Sequence, residues 1–234
     1  MSSAVPAAPS AAFEVRHVQL ARAAFAAIAA IMITFSADHS AQVGLAVFSG
    51  WAIATALVHF VSAWLVHPRG RRALPILLGV LTVAAGMIAG IPPLRTTVMF
   101  FVLVIVWAFA TGAIELGAGI AARRRAVAAG ERGSTADAQA RDGVLIGAFG
   151  LALGAGLLLV NPAYSLDYFI DDANQWFTLS GITIGVGVFG AYAAFVAVFL
   201  GIAAFSPRPP AVTPTPTVTE APADSHTAQP GGTA

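Results

Sequence analysis

The sequence predicts an all-α polytopic membrane protein with six transmembrane helices, arranged as three parallel helical-hairpin repeats. First, 58% of the residues are hydrophobic and only 10% are charged, whereas about 25% of the residues in a soluble domain are charged. Second, apolar runs long enough to cross a bilayer recur six times along the chain. Third, part of this pattern repeats. We expect one membrane domain over residues 16–205 between disordered segments 1–15 and 206–234, whose composition is rich in alanine and proline.

The bounds of the predicted helices follow from where each apolar run begins and ends. Proline stops the third run at Pro92-Pro93 and the fifth at Asn161-Pro162, because it cannot donate a backbone hydrogen bond. The fourth run is the longest and contains Glu115 as its one acidic residue before three consecutive arginines. A polar loop over residues 123–142 separates the fourth and fifth helices. The predicted helices cover residues 20–35, 43–66, 73–91, 96–125, 143–160 and 176–205.

The distribution of arginine predicts the orientation in the membrane. All twelve basic residues are arginine, and with these helices eleven of them lie on one side of the membrane, with Arg95 on the other. Positively charged loops stay in the cytoplasm. We therefore expect a multi-pass protein of the bacterial inner membrane with both termini in the cytoplasm.

An internal repeat relates the second helix to the fourth. WAIATALVH, which starts at Trp51, matches WAFATGAIE, which starts at Trp107, at an offset of 56 residues. A weaker match relates the third and fifth helices at an offset of 70. Because each hairpin contains two spans, its copies share one orientation. Parallel repeats are unlike the inverted halves of many transporters.

Small residues at GxxxG spacing are predicted to pack the helices, because close backbone approach favours helix association in lipid. The residues assigned to helix packing are Gly86, Gly90, Gly112, Gly150, Gly154, Gly181 and Gly185.

Glu115 and His59 are the candidate functional residues, and they occupy equivalent positions in the repeat. Intramembrane carboxylates are typical of proton relays, and imidazole titrates near neutrality. One hypothesis is a proton-responsive pair formed by these two side chains. The alternative is a structural role, in which Glu115 is protonated or paired with Arg22. Thr55 and Thr111, also equivalent, are expected to bond to their own helix backbones.

The loop before the sixth helix contains Asp167, Asp171 and Asp172 among aromatic residues. Asp167 and Asp171 are four residues apart, so a short interfacial helix would project both into solvent. No calcium-loop spacing is present. We expect a solvated loop anchored by aromatic side chains at the membrane surface.

The residue types also exclude several chemistries. The sequence has no cysteine and no lysine, which excludes disulfides, thiolate metal sites and Schiff-base catalysis. No hydrolase triad, phosphate-binding loop or metalloprotease motif is recognisable. We therefore expect no enzyme activity, no cofactor, no metal site and no nucleic-acid partner. The expected partners are the lipid bilayer and either a second copy of the chain or another membrane protein.

Two motifs resemble the HdeD-like family of small bacterial membrane proteins, which is named for a member linked to acid resistance. They are WAFATGAIELGAGIAARR, starting at Trp107, and LLGVLTVAAGMIAGIPP, starting at Leu77. The resemblance covers roughly residues 16–205. It implies a non-enzymatic inner-membrane protein with a role in acid or envelope stress, and it carries over no catalytic residue. The alternative is a small channel or transporter for protons or a small solute that uses Glu115 and His59.

Overall fold

The computed structural model describes residues 14–172 and 174–206. Within them the chain forms six α-helices and one β-hairpin, and all six helices are long and apolar enough to cross a membrane. This confirms the predicted all-α polytopic class. The segments expected to be disordered, and Arg208, lie almost entirely outside the described residues. The helices are α1 (Val15–Thr34), α2 (Ala41–Leu65), α3 (Ala73–Gly90), α4 (Thr97–Ala128), α5 (Thr135–Leu159) and α6 (Gly181–Phe205).

Side-chain caps begin four of these helices. The hydroxyl oxygens of Ser40, Thr96, Ser134 and Ser180 each accept a hydrogen bond from a backbone N–H in the first turn of the following helix. At the other end of α3, Arg95 donates to the carbonyl oxygens of Ala89 and Gly90 at 3.0 and 3.2 Å. This arginine, the exception to the charge pattern, therefore satisfies carbonyl groups that the helix end leaves without partners.

The six helices form a closed ring in sequence order. The most extensive interfaces join α4 to α5, α1 to α6 and α2 to α3, while the other neighbouring pairs meet over smaller areas. The largest contacts therefore lie between different predicted hairpins and not within them. The three-hairpin repeat itself remains a prediction.

Aromatic rings fill the centre of the bundle, where α2, α4 and α6 converge. Trp51 and Trp107, the equivalent tryptophans of the repeat, meet edge to face with ring centroids 5.1 Å apart. Phe48 packs on Trp107 and on Phe189 at 5.4 Å in each case. Outside the ring, large apolar side chains such as Val106 and Phe195 remain exposed, as expected for a surface that faces lipid.

The prediction that the sixth helix begins near residue 176 was wrong. Ser165–Ile170 and Gln175–Ser180 form antiparallel strands β1 and β2, and α6 begins only at Gly181. Hydropathy made Trp176 part of a span, but aromatic residues and threonine favour strands. Asn174 has φ of 47° in the turn, a backbone conformation that asparagine tolerates.

The hairpin also overturns the interfacial helix expected for the acidic loop. Asp167 lies opposite Thr178 in the strand register, and its carboxylate accepts a 2.6 Å hydrogen bond from the Thr178 hydroxyl. Asp171 and Asp172 occupy the turn and are exposed.

The loop between the fourth and fifth helices is shorter than predicted. α4 continues to Ala128 and α5 begins at Thr135, eight residues before the predicted start. The capping hydroxyl of Ser134 accepts from the backbone N–H of Asp137 at 3.2 Å, and an acidic residue in the first turn suits the helix dipole. A polar helical turn that projects beyond the apolar span cannot be located by hydropathy alone.

Candidate functional site

An ion pair between α1 and α4 defines the candidate site. The Arg22 Nη2 atom lies 3.1 Å from Glu115 Oε1, and the two side chains are only 18% and 14% exposed. Both residues stand alone as charges within apolar stretches of their helices, so each is the counter-ion of the other. Of the arrangements considered for Glu115, the structure contains the pairing with Arg22.

His59 lies beside this pair without a direct bond to it. The imidazole is buried on α2 and lines the same cavity as Arg22 and Glu115. Among the described residues, no hydrogen bond joins His59 to Glu115. The structure thus brings the two predicted residues to one site but does not place them in contact. We call Arg22, His59, Glu115 and the cavity between them the central polar site.

The cavity has a volume of about 20 Å³, which is enough for one water molecule. Helices α1 to α6 all contribute to its wall. Its lining residues are Arg22, Trp51, Thr55, His59, Leu78, Thr82, Trp107, Thr111, Gly112, Glu115, Gly150, Tyr192 and Val196.

Some polar groups at the cavity are satisfied by the protein. The Thr111 hydroxyl donates to the backbone carbonyl of Trp107 at 2.8 Å, as expected from the sequence. The indole N–H of Trp107 donates to the Thr82 hydroxyl oxygen at 3.2 Å. These two hydrogen bonds fix the orientation of the Trp107 and Thr111 side chains in the cavity wall.

Other polar atoms at the cavity have no partner. Arg22 Nε, Trp51 Nε1 and Thr55 Oγ1 are buried without a hydrogen bond among the described residues. The expectation that Thr55 bonds to its own helix, as Thr111 does, was therefore wrong. Leaving a buried polar group unpaired costs about 1–3 kcal/mol, so a hydrogen-bonding molecule in the cavity would offset part of this cost.

The predicted packing glycines lie mainly at helix contacts. A Cβ on Gly112 would lie 2.9 Å from the carbonyl oxygen of Gly147, and one on Gly150 would lie 3.1 Å from Gly112 Cα. Gly181 differs, because it faces the backbone of Asn161 in the turn after α5 rather than a helix. Gly86 and Gly90, on α3, face residues of α2. Gly154 on α5 and Gly185 on α6 face side chains of α4.

Comparison of the chain with protein-family models, curated proteins and solved structures finds no match. The resemblance to the HdeD-like family therefore remains a prediction. The proposed function therefore rests on the geometry of the central polar site.

Several contributors to the site were not singled out in the sequence. Trp51 and Trp107 mark the internal repeat, but nothing in the repeat pattern assigns them to a cavity wall. Tyr192 gave no signal at all, since α6 lacks a clear counterpart of the repeat motif. A separate polar contact joins α1 to α5, where the Gln19 side-chain amide donates a 2.8 Å hydrogen bond to the Asp142 carboxylate. The sequence did not indicate this contact either.

Proposed function

We propose that the chain is a non-enzymatic, multi-pass protein of the bacterial inner membrane that responds to protons through the central polar site. The observation that carries this proposal is the Arg22–Glu115 ion pair, held between two helices next to His59 and a water-sized cavity. Ionisable groups inside membrane spans are costly and are typically functional. Their presence here supports a role in acid or envelope stress, as the HdeD-like resemblance implies.

The proposed response begins when Glu115 takes up a proton. The neutral carboxyl group no longer compensates the charge of Arg22, so the contact between α1 and α4 weakens. Three charged or titratable groups face Glu115 across the cavity: Arg22 on α1, His59 on α2 and Tyr192 on α6. The residues that α3 and α5 contribute, Leu78, Thr82 and Gly150, do not titrate.

Tryptophan fluorescence tests this response, because Trp51 and Trp107 line the cavity. In a protein with Trp64 and Trp176 replaced by phenylalanine, we expect the emission to change in one transition as the pH falls. Glu115→Gln, which is neutral at every pH, is expected to abolish the transition. Glu131→Gln, at an exposed loop residue, is the matched control and is expected to leave it intact. A transition that survives unchanged in a folded Glu115→Gln variant contradicts the proposal.

A proton path is the second candidate, because Glu115 faces a polar-lined cavity, as a transport route requires. Proton flux into liposomes with an internal pH dye separates the two candidates. Flux that Glu115→Gln abolishes supports a channel or transporter. A fluorescence transition without flux supports a protein that responds to protons but does not conduct them.

We further propose that the β-hairpin lies outside the cytoplasm and that the loop between α4 and α5 lies inside it, as the arginines indicate. Because the chain has no cysteine, single substitutions report accessibility directly. Asp172→Cys, in the hairpin turn, is expected to react with a membrane-impermeant maleimide added outside spheroplasts. Glu131→Cys is expected to react only after permeabilisation. The reverse labelling pattern contradicts this orientation.

A further inference from the structure

The unpartnered atoms of the central polar site share one chemical property. Trp51 Nε1 and Arg22 Nε can only donate hydrogen bonds, and the Thr55 hydroxyl also has a proton to donate. Trp51 and Thr55 are only 6% and 4% exposed, and all three residues line the cavity. A ligand that satisfies them must therefore accept hydrogen bonds.

The size of the cavity limits this ligand. A volume of about 20 Å³ admits one water molecule or one monatomic ion of similar size. A polyatomic oxyanion such as phosphate or sulfate is too large, and it would also require more donors. The acceptors that fit are water and the smaller halides.

The charge of the site decides between water and a halide. While Glu115 is ionised, the ion pair carries no net charge, and a neutral water molecule suits the cavity. Once Glu115 is protonated, Arg22 is left with an uncompensated positive charge in a medium of low dielectric constant, where an opposite charge is strongly favoured. Among the described residues, no other acidic side chain lines the cavity.

We infer that the central polar site binds a halide ion, with chloride as the physiological case, when Glu115 is protonated. The Arg22 and Trp51 N–H groups and the Thr55 hydroxyl are its donors. This inference rests on the proposed function, because it requires proton uptake by Glu115. The two binding events are linked and each favours the other by the same factor. Chloride affinity is therefore expected to be higher at acidic pH than at neutral pH.

Thermal unfolding of the purified full-length protein in detergent tests the inference. Sodium chloride replaces sodium gluconate at constant ionic strength, because gluconate is too large for the cavity. We expect chloride to raise the unfolding midpoint of the native protein more at pH 5 than at pH 7.5. Glu115→Gln, which mimics the protonated state, is expected to give an equal rise at both pH values.

Two substitutions locate the bound ion. Thr55→Val keeps the shape of the side chain but removes the hydroxyl, and we expect it to weaken the apparent chloride affinity about tenfold or more, since hydrogen bonds to charged groups are worth about 1.5–3 kcal/mol. Trp51→Phe removes a second donor and is expected to act in the same direction. The controls are Thr34→Val, at an exposed helix end, and Trp64→Phe, at a side chain that is 67% exposed. Both are expected to leave the affinity unchanged.

Each outcome supports or overturns the inference. If folded Glu115→Gln shows no chloride response, or if Thr55→Val responds as strongly as the native protein, the inference is overturned. If the pH dependence disappears in His59→Gln but persists in Glu115→Gln, the coupling belongs to His59 and the assignment to Glu115 is overturned. Failure of the proposed function can be distinguished from failure of this inference. If the proposed function fails, the native protein in gluconate shows no fluorescence transition as the pH falls, whether or not chloride stabilises Glu115→Gln.

Discussion

Glu115→Leu is expected to lower the free energy of unfolding by roughly 2–4 kcal/mol, and Arg22→Met in the same chain is expected to recover most of that loss. Removing one partner of a buried ion pair leaves an uncompensated charge, which costs about 3–5 kcal/mol when the pair is fully buried. The expected loss is smaller here because Arg22 and Glu115 retain 18% and 14% exposure. The recovery is expected because apolar side chains of similar volume replace a buried pair at little or no cost.

A double-mutant cycle measured by unfolding in mixed detergent micelles checks this expectation. Arg16→Met is the control, because Arg16 lies 3.2 Å from Glu14 and the two side chains are 54% and 46% exposed. Exposed pairs contribute about 0–1 kcal/mol, so this change should be small. Losses that simply add in the double variant contradict direct coupling between Arg22 and Glu115.

Gly147→Ala is expected to lower the free energy of unfolding by about 3 kcal/mol, at the upper end of the cost of overpacking. A Cβ at Gly147 would overlap the backbone nitrogen of Leu116 and lie 2.7 Å from the carbonyl oxygen of Gly112. Backbone atoms inside a helix cannot move aside as a flexible side chain can. The substitution therefore forces α4 and α5 apart along their most extensive contact.

Alanine at two other glycines of the same helices provides the control. A Cβ at Gly117 on α4 would meet nothing within 4 Å, and one at Gly156 on α5 would make only an ordinary 3.7 Å contact. Both variants are expected to keep the native stability or to gain up to about 1 kcal/mol, because alanine has a higher helix propensity than glycine. Equal losses at all three positions would contradict the assignment of the effect to the α4–α5 contact, because alanine has the higher helix propensity.

The sequence was sufficient to locate the membrane helices but not their polar extensions. Apolar runs and proline stops placed α2 and α3 within two residues of their observed ends. The start of α5 was missed because the Ser134 cap and the turn after it are polar. The hairpin was missed because hydropathy does not distinguish an aromatic strand from part of a helix.

The ion pair of the central polar site could be predicted from the sequence. Glu115 and Arg22 are isolated charges in apolar stretches, and burial in lipid makes their pairing the expected solution. The unpartnered donors of Trp51 and Thr55 could not be predicted, because they depend on side-chain packing among three helices. Thr55 and Thr111 show the limit clearly, since equivalent threonines in matching sequences have different hydrogen bonds.

The closed ring of helices has a consequence for the biogenesis of the protein. Arg22 is synthesised 93 residues before Glu115, and α1 packs most extensively on α6, the sixth helix of the described residues. At about 5–20 residues per second, the first helix waits roughly 5–20 s for its counter-ion and longer for its main neighbour. During that interval it is a charged span with an open packing face. In the nascent chain, Arg22 therefore has no counter-ion from Glu115 until the fourth helix is synthesised.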